Sequence, residues 1–352
     1  MTSRDVEPVW PGNEWSTADV PESTVLRLEA DELFAGGAAP ADGRGVSLAM
    51  AVIHRGRLVF ERYGVQPDTI FGPGGPVGPD TTLVSWSMAK SMTHALVGML
   101  VDEGRLDPNS PAAVTDWRGD GRSAITLDHL LRMRDGLDFV EEYVDTPGAR
   151  TPDVISMLFA EGAADVAAYA RARPPKHAPG EVWNYSSGTT NVISRLVGDV
   201  VGHGEAMDDF IRRRLFAPLG MKSATARFDD AGTFIGSSYV YATARDFARF
   251  GYLYLRDGVW NGNRLLSSPW IEGAAEQHAT DPETQHGYGR HWWIWKSRPG
   301  VLAALGYEGQ RIIVDRSRDL VVVHLGNWVA DTQPVLDAHL SRVVDAFPLV
   351  AG

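Results

Sequence analysis

The chain has 352 residues and no cysteine, which excludes cysteine nucleophiles, disulfides, cysteine-ligated zinc and iron–sulfur clusters. Covalent chemistry must therefore use oxygen or nitrogen. Positive charge is also short: 33 basic against 45 acidic residues leave a formal net charge of −12. Such a surface opposes phosphate backbones and anionic lipid, so neither nucleic acid nor membrane is expected as a partner. A small neutral or cationic substrate fits better. Lysine is scarcer still, with only Lys90, Lys176, Lys222 and Lys296. Arginine keeps its proton near neutral pH whereas a desolvated lysine can release it, so any lysine beside a nucleophile stands out.

Other absences narrow the field. No apolar run approaches the roughly 18 residues that cross a bilayer. Residues 1–15 lack the basic start, apolar stretch and small-residue cleavage site of a signal peptide, so a cytoplasmic location is expected. None of the ten histidines forms a His-x-x-x-His pair, and the nearest two, His286 and His291, stand five apart in a Gly-rich segment. No metal or other cofactor is expected. The glycines at 72, 74 and 75 fail the dinucleotide fingerprint because Val77 takes its last position, and the Gly-x-Ser-x-Gly elbow fails at Ser186, where Asn184 replaces the first glycine.

What is present is globular in proportion, 44% hydrophobic and 22% charged, and large enough for one composite domain or two lobes. Residues 1–20 read as an arm laid over the surface. It packs either on its own subunit or on a neighbour, which leaves a homodimer open. Helical spacing marks 23–34, 87–104, 126–133, 153–160, 165–172, 189–201, 205–215, 244–255 and 331–347, with Thr126 a good N-cap. Short β-branched or aromatic runs at 46–54, 58–63, 291–296, 301–305, 310–314 and 320–325 read as strands. Strands at both ends around a helical middle predict an α+β fold. Residues 1–104 and 226–352 would form one lobe around a central antiparallel sheet, residues 105–225 a mostly helical lobe, and the active site would lie between them.

One segment can do chemistry without a metal. Ser87-Met88-Ala89-Lys90 opens a helix, and residues three apart share a helix face, so the Lys90 amine can reach the Ser87 hydroxyl. A serine is a weak nucleophile until a base takes its proton, and lysine is that base only when burial or nearby charge lowers its pKa. Four residues are also a short motif, which chance can produce. A second segment adds to it: residues 178–188 form a turn and a short strand before a helix, with Tyr185 followed two residues on by Ser187. Tyr185 reads either as a proton shuttle or as a half-buried ring with its hydroxyl bonded to a carbonyl.

Together these residues resemble the serine β-lactamase and penicillin-binding-protein superfamily, in particular its class C-like esterase branch, of which Ser-x-x-Lys is a known signature. The segments 101–106, 125–131 and 215–221 resemble further family stretches. Within the branch the chain is most similar to the 6-aminohexanoate-dimer hydrolases, through Glu142-Tyr143-Val144-Asp145, Thr243-Ala244-Arg245-Asp246, Trp292-Trp293 and Gly309-Gln310. The resemblance implies a β-lactamase/transpeptidase-like fold, with Ser87 acylated, Lys90 its base and Tyr185 relaying protons. It also implies an oxyanion hole made by the Ser87 amide and one from Arg311 or Ile312, with Tyr143 over the pocket. Ser187, Glu308 and Gly309 would line the substrate.

Two positions depart from the penicillin-recognising pattern. Ser187 replaces the asparagine of Tyr-x-Asn, and Tyr307-Glu308-Gly309 stands where Lys-Thr-Gly is expected, putting a glutamate where relatives attract a carboxylate. The tryptophans Trp86, Trp292, Trp293, Trp295 and Trp328 divide between an apolar pocket and the core. The expected activity is hydrolysis of a small ester or linear amide through an acyl-enzyme. The alternatives are a β-lactamase, a D-aminopeptidase or DD-peptidase, and a non-catalytic ligand-binding or single-acylation sensor protein.

Overall fold

A computed structural model describes residues 8–20, 24–40, 43–68, 72–141 and 151–350. Its largest sheet has eight antiparallel strands from both ends of the chain: β1 (Gly45–His54), β2 (Arg57–Tyr63), β3 (Ala279–Thr280), β4 (Gly287–Tyr288), β5 (Trp293–Ile294), β6 (Leu302–Gly306), β7 (Gln310–Asp315) and β8 (Leu320–Trp328), in the order β3-β4-β5-β6-β7-β8-β1-β2. The expected sheet is thus present, and two further strands, β3 and β4, extend one edge where residues 279–288 carry no alternating run.

Successive side chains on a strand face opposite ways, and that alternation assigns the two faces. Ile312 and Val314 of β7 and Val321 and Val323 of β8 join the larger core, while Ile313, Leu320 and Val322 join a smaller one. The smaller core is closed by helices α1 (Thr24–Leu33) and α11 (Gln333–Asp345), which Glu29 ties together through Arg342. The buried stripe of α1 is Leu26, Ala30 and Leu33; Val25 and Leu28, which the helical spacing also selects, are exposed.

On the other face lie α2 (Ala89–Asp102) and α9 (Ala244–Leu255). Every residue of α2 from Ala89 to Leu100 is buried, so this is a core helix and not the one-sided helix its sequence suggests. Between them come α3 (Leu127–Leu131), α4 (Asp153–Phe159), α5 (Val166–Arg171), α6 (Ser187–Val201), α7 (Glu205–Ile211) and α8 (Ala217–Leu219). Thr126 caps α3 as expected, accepting from the His129 amide at 3.1 Å. α10 (Ser268–Ala275) follows α9. One hydrophobic cluster runs from this helical region into the sheet, joining Leu130, Phe139 and Val192 to Met88 and Ile312.

Residues 8–20 of the arm pack on their own chain: Trp15 is buried and meets Tyr252, whose hydroxyl donates to the Val9 carbonyl at 2.7 Å. Among the described residues no helix is long and apolar enough to cross a membrane.

Candidate active site

Ser87 lies in a single 3-10 turn, Trp86–Met88, just ahead of α2. The turn is clamped from both sides. The Ser85 amide donates to the Val240 carbonyl at 2.8 Å, and the Ser85 hydroxyl to the Ser238 carbonyl at 3.1 Å. Opposite, the end of β6 comes so close that a Cβ on Gly306 would fall 2.4 Å from the Ser85 carbonyl oxygen, so only glycine fits. Trp86 has φ 42, a left-handed conformation that costs a non-glycine residue energy and persists where surroundings hold it. Its indole donates to Glu308 Oε2 at 2.8 Å, and Glu308 itself has φ 60 in the turn between β6 and β7.

Lys90 is one helical turn on from Ser87 and is buried. Its Nζ stands 2.9 Å from Ser87 Oγ, 2.9 Å from Ser187 Oγ and 3.1 Å from the Ser237 carbonyl. Burial disfavours the ammonium and Glu141 favours it; burial wins, and the pKa falls to about 8. The face of the Tyr185 ring covers the amine at 4.8 Å. The Tyr185 phenol lies in this group beside Trp293, and burial and the Glu141 charge push it well above its ordinary range. A lysine pushed down beside a tyrosine pushed up separates base from acid: Lys90 can lose its proton near neutral pH, and Tyr185 keeps its own.

α6 starts beside this group because Ser186 caps it, accepting from the Thr189 amide at 3.0 Å. The preceding loop is tied across to 133–139: the Asn184 amide donates to the Met133 carbonyl at 2.8 Å and its side chain to Phe139 at 3.0 Å. A Cβ on Gly188 would lie 2.5 Å from the Phe139 ring, so this glycine lets the loop close on the helix. Closure brings Glu141 onto Ser187. The Ser187 amide donates to Oε2 at 2.7 Å and its hydroxyl to Oε1 at 2.5 Å, leaving Oε1 4.0 Å from Lys90 Nζ.

The structure therefore brings Ser87, Lys90, Tyr185 and Ser187 together, with Glu308 and Gly309 in the adjoining turn. It does not bring the Arg311 and Ile312 amides to Ser87 as oxyanion donors. Both lie in β7, paired on one side with β6 and on the other with β8, so their amides belong to the ladders. The Arg311 side chain projects to the opposite face, where it bonds Asp337 at 3.1 Å, and Ile312 is sealed in the core. Tyr143 lies outside the described residues. Of the tryptophans, Trp86 and Trp293 are half-buried at the site, whereas Trp292, Trp295 and Trp328 are core.

Two site residues carry no sequence motif: Glu141, and Ser237, which acts through its carbonyl. Besides Trp293, which the sequence offers for a pocket, the wall beside Tyr185 gains Trp183 and Tyr288, which the sequence does not single out. Tyr185 sits 5.0 Å from Trp293 and 5.9 Å from Tyr288, and Trp183 meets both Tyr288 and Trp293.

An eight-stranded antiparallel sheet with a buried lysine on a helix-start serine defines a class, and the chain belongs to it: residues 30–345 match the beta-lactamase family. It is a serine hydrolase of that family. The 6-aminohexanoate-dimer hydrolase of Paenarthrobacter ureafaciens is 29% identical over 267 residues, covering 71% of this chain and 67% of that protein. Among solved structures, a family VIII carboxylesterase superposes with TM-score 0.70 at 16% identity, covering 95% of this chain and 99% of the other. The D-amino acid amidase of Ochrobactrum anthropi gives 0.66 at 16% identity, covering 92% and 97%. At such identity the two structures speak for the fold alone.

Proposed function

We propose that Ser87 is the acylated nucleophile of a hydrolase acting on small carboxylic esters or linear amides. The observation that carries this is the buried Lys90 amine 2.9 Å from Ser87 Oγ with a pKa of about 8. Neutral Lys90 takes the Ser87 proton as Oγ attacks the carbonyl carbon, and the carbonyl electron pair moves to oxygen. The oxyanion would be met by the Ser87 amide and by the Tyr307 amide, at the end of β6 that Gly306 presses against Ser85. Tyr185, protonated and with its ring over the Lys90 amine, is placed to pass a proton to the departing oxygen or nitrogen. Water then reverses the sequence and frees the acid.

The names of the relatives point to linear amides and esters, and the half-buried rings of Trp183, Tyr185 and Trp293 offer an apolar wall for an acyl or alkyl chain. Among the described residues a penicillin reading finds no lysine at the late-strand turn, where Glu308 stands. Lys176 bonds Asp138 and Lys222 bonds Asn13, both on exposed surface, and Arg311 faces away. Among the described residues Lys90 is the lysine of the site, and it already serves Ser87.

The test is turnover of p-nitrophenyl butyrate, a linear amide and nitrocefin by wild type and Ser87→Ala, with fluorophosphonate labelling. Ester and amide turnover lost in Ser87→Ala, with slow nitrocefin hydrolysis, is the expected result. Near-wild-type rates in Ser87→Ala would remove Ser87 from the mechanism, and labelling without multiple turnover would favour a single-acylation sensor.

A further inference from the structure

Glu141 belongs to no motif, yet among the described residues it is the carboxylate that pairs with Lys90, 4.0 Å from Nζ. We propose that Glu141 is a positioning residue of the reaction, a role that rests on Ser87 and Lys90 being nucleophile and base. Acting through Ser187, its carboxylate fixes the direction of the hydrogen-bond chain that ends on Ser87 and supplies the counter-charge that Lys90 senses.

The direction comes from what each group can donate. An ionised carboxylate only accepts, so the Ser187 amide and hydroxyl must both donate to Glu141, at 2.7 and 2.5 Å. With its proton committed, Ser187 Oγ can only accept from Lys90, 2.9 Å away, and the Ser237 carbonyl at 3.1 Å likewise only accepts. A neutral amine has two N–H bonds and one lone pair. Both N–H bonds are then used on Ser187 and Ser237, and the lone pair remains for the third neighbour, Ser87 Oγ at 2.9 Å. The base is thus aimed at the proton it must take. As the Ser87 O–H bond breaks, an N–H bond forms on Lys90, and the Ser87 electron pair becomes the bond to the substrate carbon.

The counter-charge is equally local. Three titratable groups face the amine among the described residues. The Tyr185 ring lies over it, but burial keeps that phenol protonated. His291, whose ring feels Lys90, is itself pushed down by burial to about 3 and is neutral. Glu141, 4.0 Å away, is the carboxylate that offsets burial of the ammonium.

The test compares pH profiles of kcat/KM for p-nitrophenyl butyrate in wild type, Glu141→Gln and Glu141→Asp. Glutamine is nearly the same size, but its NH2 can donate to Ser187 and reverse the chain, turning the Ser187 proton toward Lys90. A 10- to 100-fold loss at the plateau is expected. The acid limb should also move to lower pH by about one unit or more, because Lys90 without its counter-charge releases its proton earlier. Glu141→Asp, which keeps the charge, should leave the limb nearer wild type. A merely structural residue would depress activity without moving the limb, so a stationary limb in a folded Glu141→Gln overturns the proposal. If that variant does not fold, Ser187→Ala cuts the same chain, and an undiminished plateau there overturns it too. Activity surviving in the Ser87→Ala control would instead overturn the assignment of nucleophile and base beneath it.

Discussion

Replacing Lys90 by arginine separates a base from a mere positive charge. With a pKa of about 8, about a tenth of the molecules carry neutral Lys90 at pH 7 and about nine-tenths at pH 9, so kcat/KM should climb roughly tenfold across that interval. Arginine, with a pKa above ~12, leaves no more than about one molecule in 10⁵ neutral at pH 7. If the step needs a neutral base, Lys90→Arg therefore loses the whole general-base contribution, on the order of 10²- to 10⁴-fold, and the limb near pH 8 disappears with it.

The measurement is p-nitrophenyl butyrate hydrolysis from pH 5.5 to 10 at a fixed ionic strength of about 0.1 M, since charge interactions at the surface are screened by salt. The guanidinium is larger than the ammonium, and the cavity fits an amine between three oxygen atoms, those of Ser87, Ser187 and Ser237. Melting temperatures must therefore accompany the rates, and Lys90→Ala, which introduces no bulk, serves as the second variant. An Arg variant retaining more than about a tenth of wild-type kcat/KM at pH 7 would refute Lys90 as the base, since loss of a positioned base costs far more. So would a wild-type profile flat from pH 6 to 9.

Three further outcomes are expected. Tyr185→Phe keeps the rings that face Trp293 at 5.0 Å and Tyr288 at 5.9 Å but removes the phenol; kcat should fall about 10²-fold or more with little change in melting temperature, and an unchanged kcat would exclude Tyr185 as proton donor. Gly188→Ala places a methyl 2.5 Å from the Phe139 ring and should cost about 1–3 kcal/mol in urea unfolding, with activity falling as the loop carrying Glu141 shifts; unaltered stability would mean that the loop yields freely. Burial opposes the charge on Asp337, but Arg311 and His286 overcome it and hold the pKa at about 2, below its ordinary 3.8. The stability this gives is present above pH ~4 and lost as the pH falls toward 2, about 2 kcal/mol in all, and Asp337→Asn should flatten that part of the stability profile.

The sequence made the local features legible and left out those that the fold assembles. The Ser87–Lys90 pair, the Thr126 cap and most helices depend on spacings within a turn or two, which periodicity reports directly. Glu141 reaches Ser187 across 46 residues, and nothing in its neighbours marks it. Ser237 contributes a carbonyl, which every residue has. The misplacement of Arg311 and Ile312 had an available signal: residues 310–314 read as a strand, and inside a sheet backbone N–H groups are spent on the neighbouring strands, which leaves the turn before it as the place for a free donor. The pairing of α2 with the sheet is different again. Its burial all round comes from the helices and strands packed about it, not from its own pattern.

The structure also changes why a carboxylate-bearing β-lactam is a poor fit. From the sequence, Glu308 looks like a negative charge placed where relatives carry a positive one. In the fold its carboxylate accepts the Trp86 indole at 2.8 Å, so one of its oxygens is committed to the protein and not to a ligand, while burial pushes its pKa up. Glu141 is likewise turned inward, onto Ser187. The net charge of −12 therefore says little about the pocket itself, because both acidic groups identified at the site are held by protein donors. What disfavours the β-lactam is the want, among the described residues, of a lysine at the late-strand turn to pair with its carboxylate, and what Glu308 provides is a hold on Trp86, the left-handed residue before Ser87. The two effects separate in experiment. Glu308→Lys should weaken ester turnover by releasing Trp86, and it should not confer nitrocefin hydrolysis comparable to ester cleavage. Gain of that activity with the ester rate intact would show that Glu308 acts on ligands by its charge and not on the backbone by its hydrogen bond.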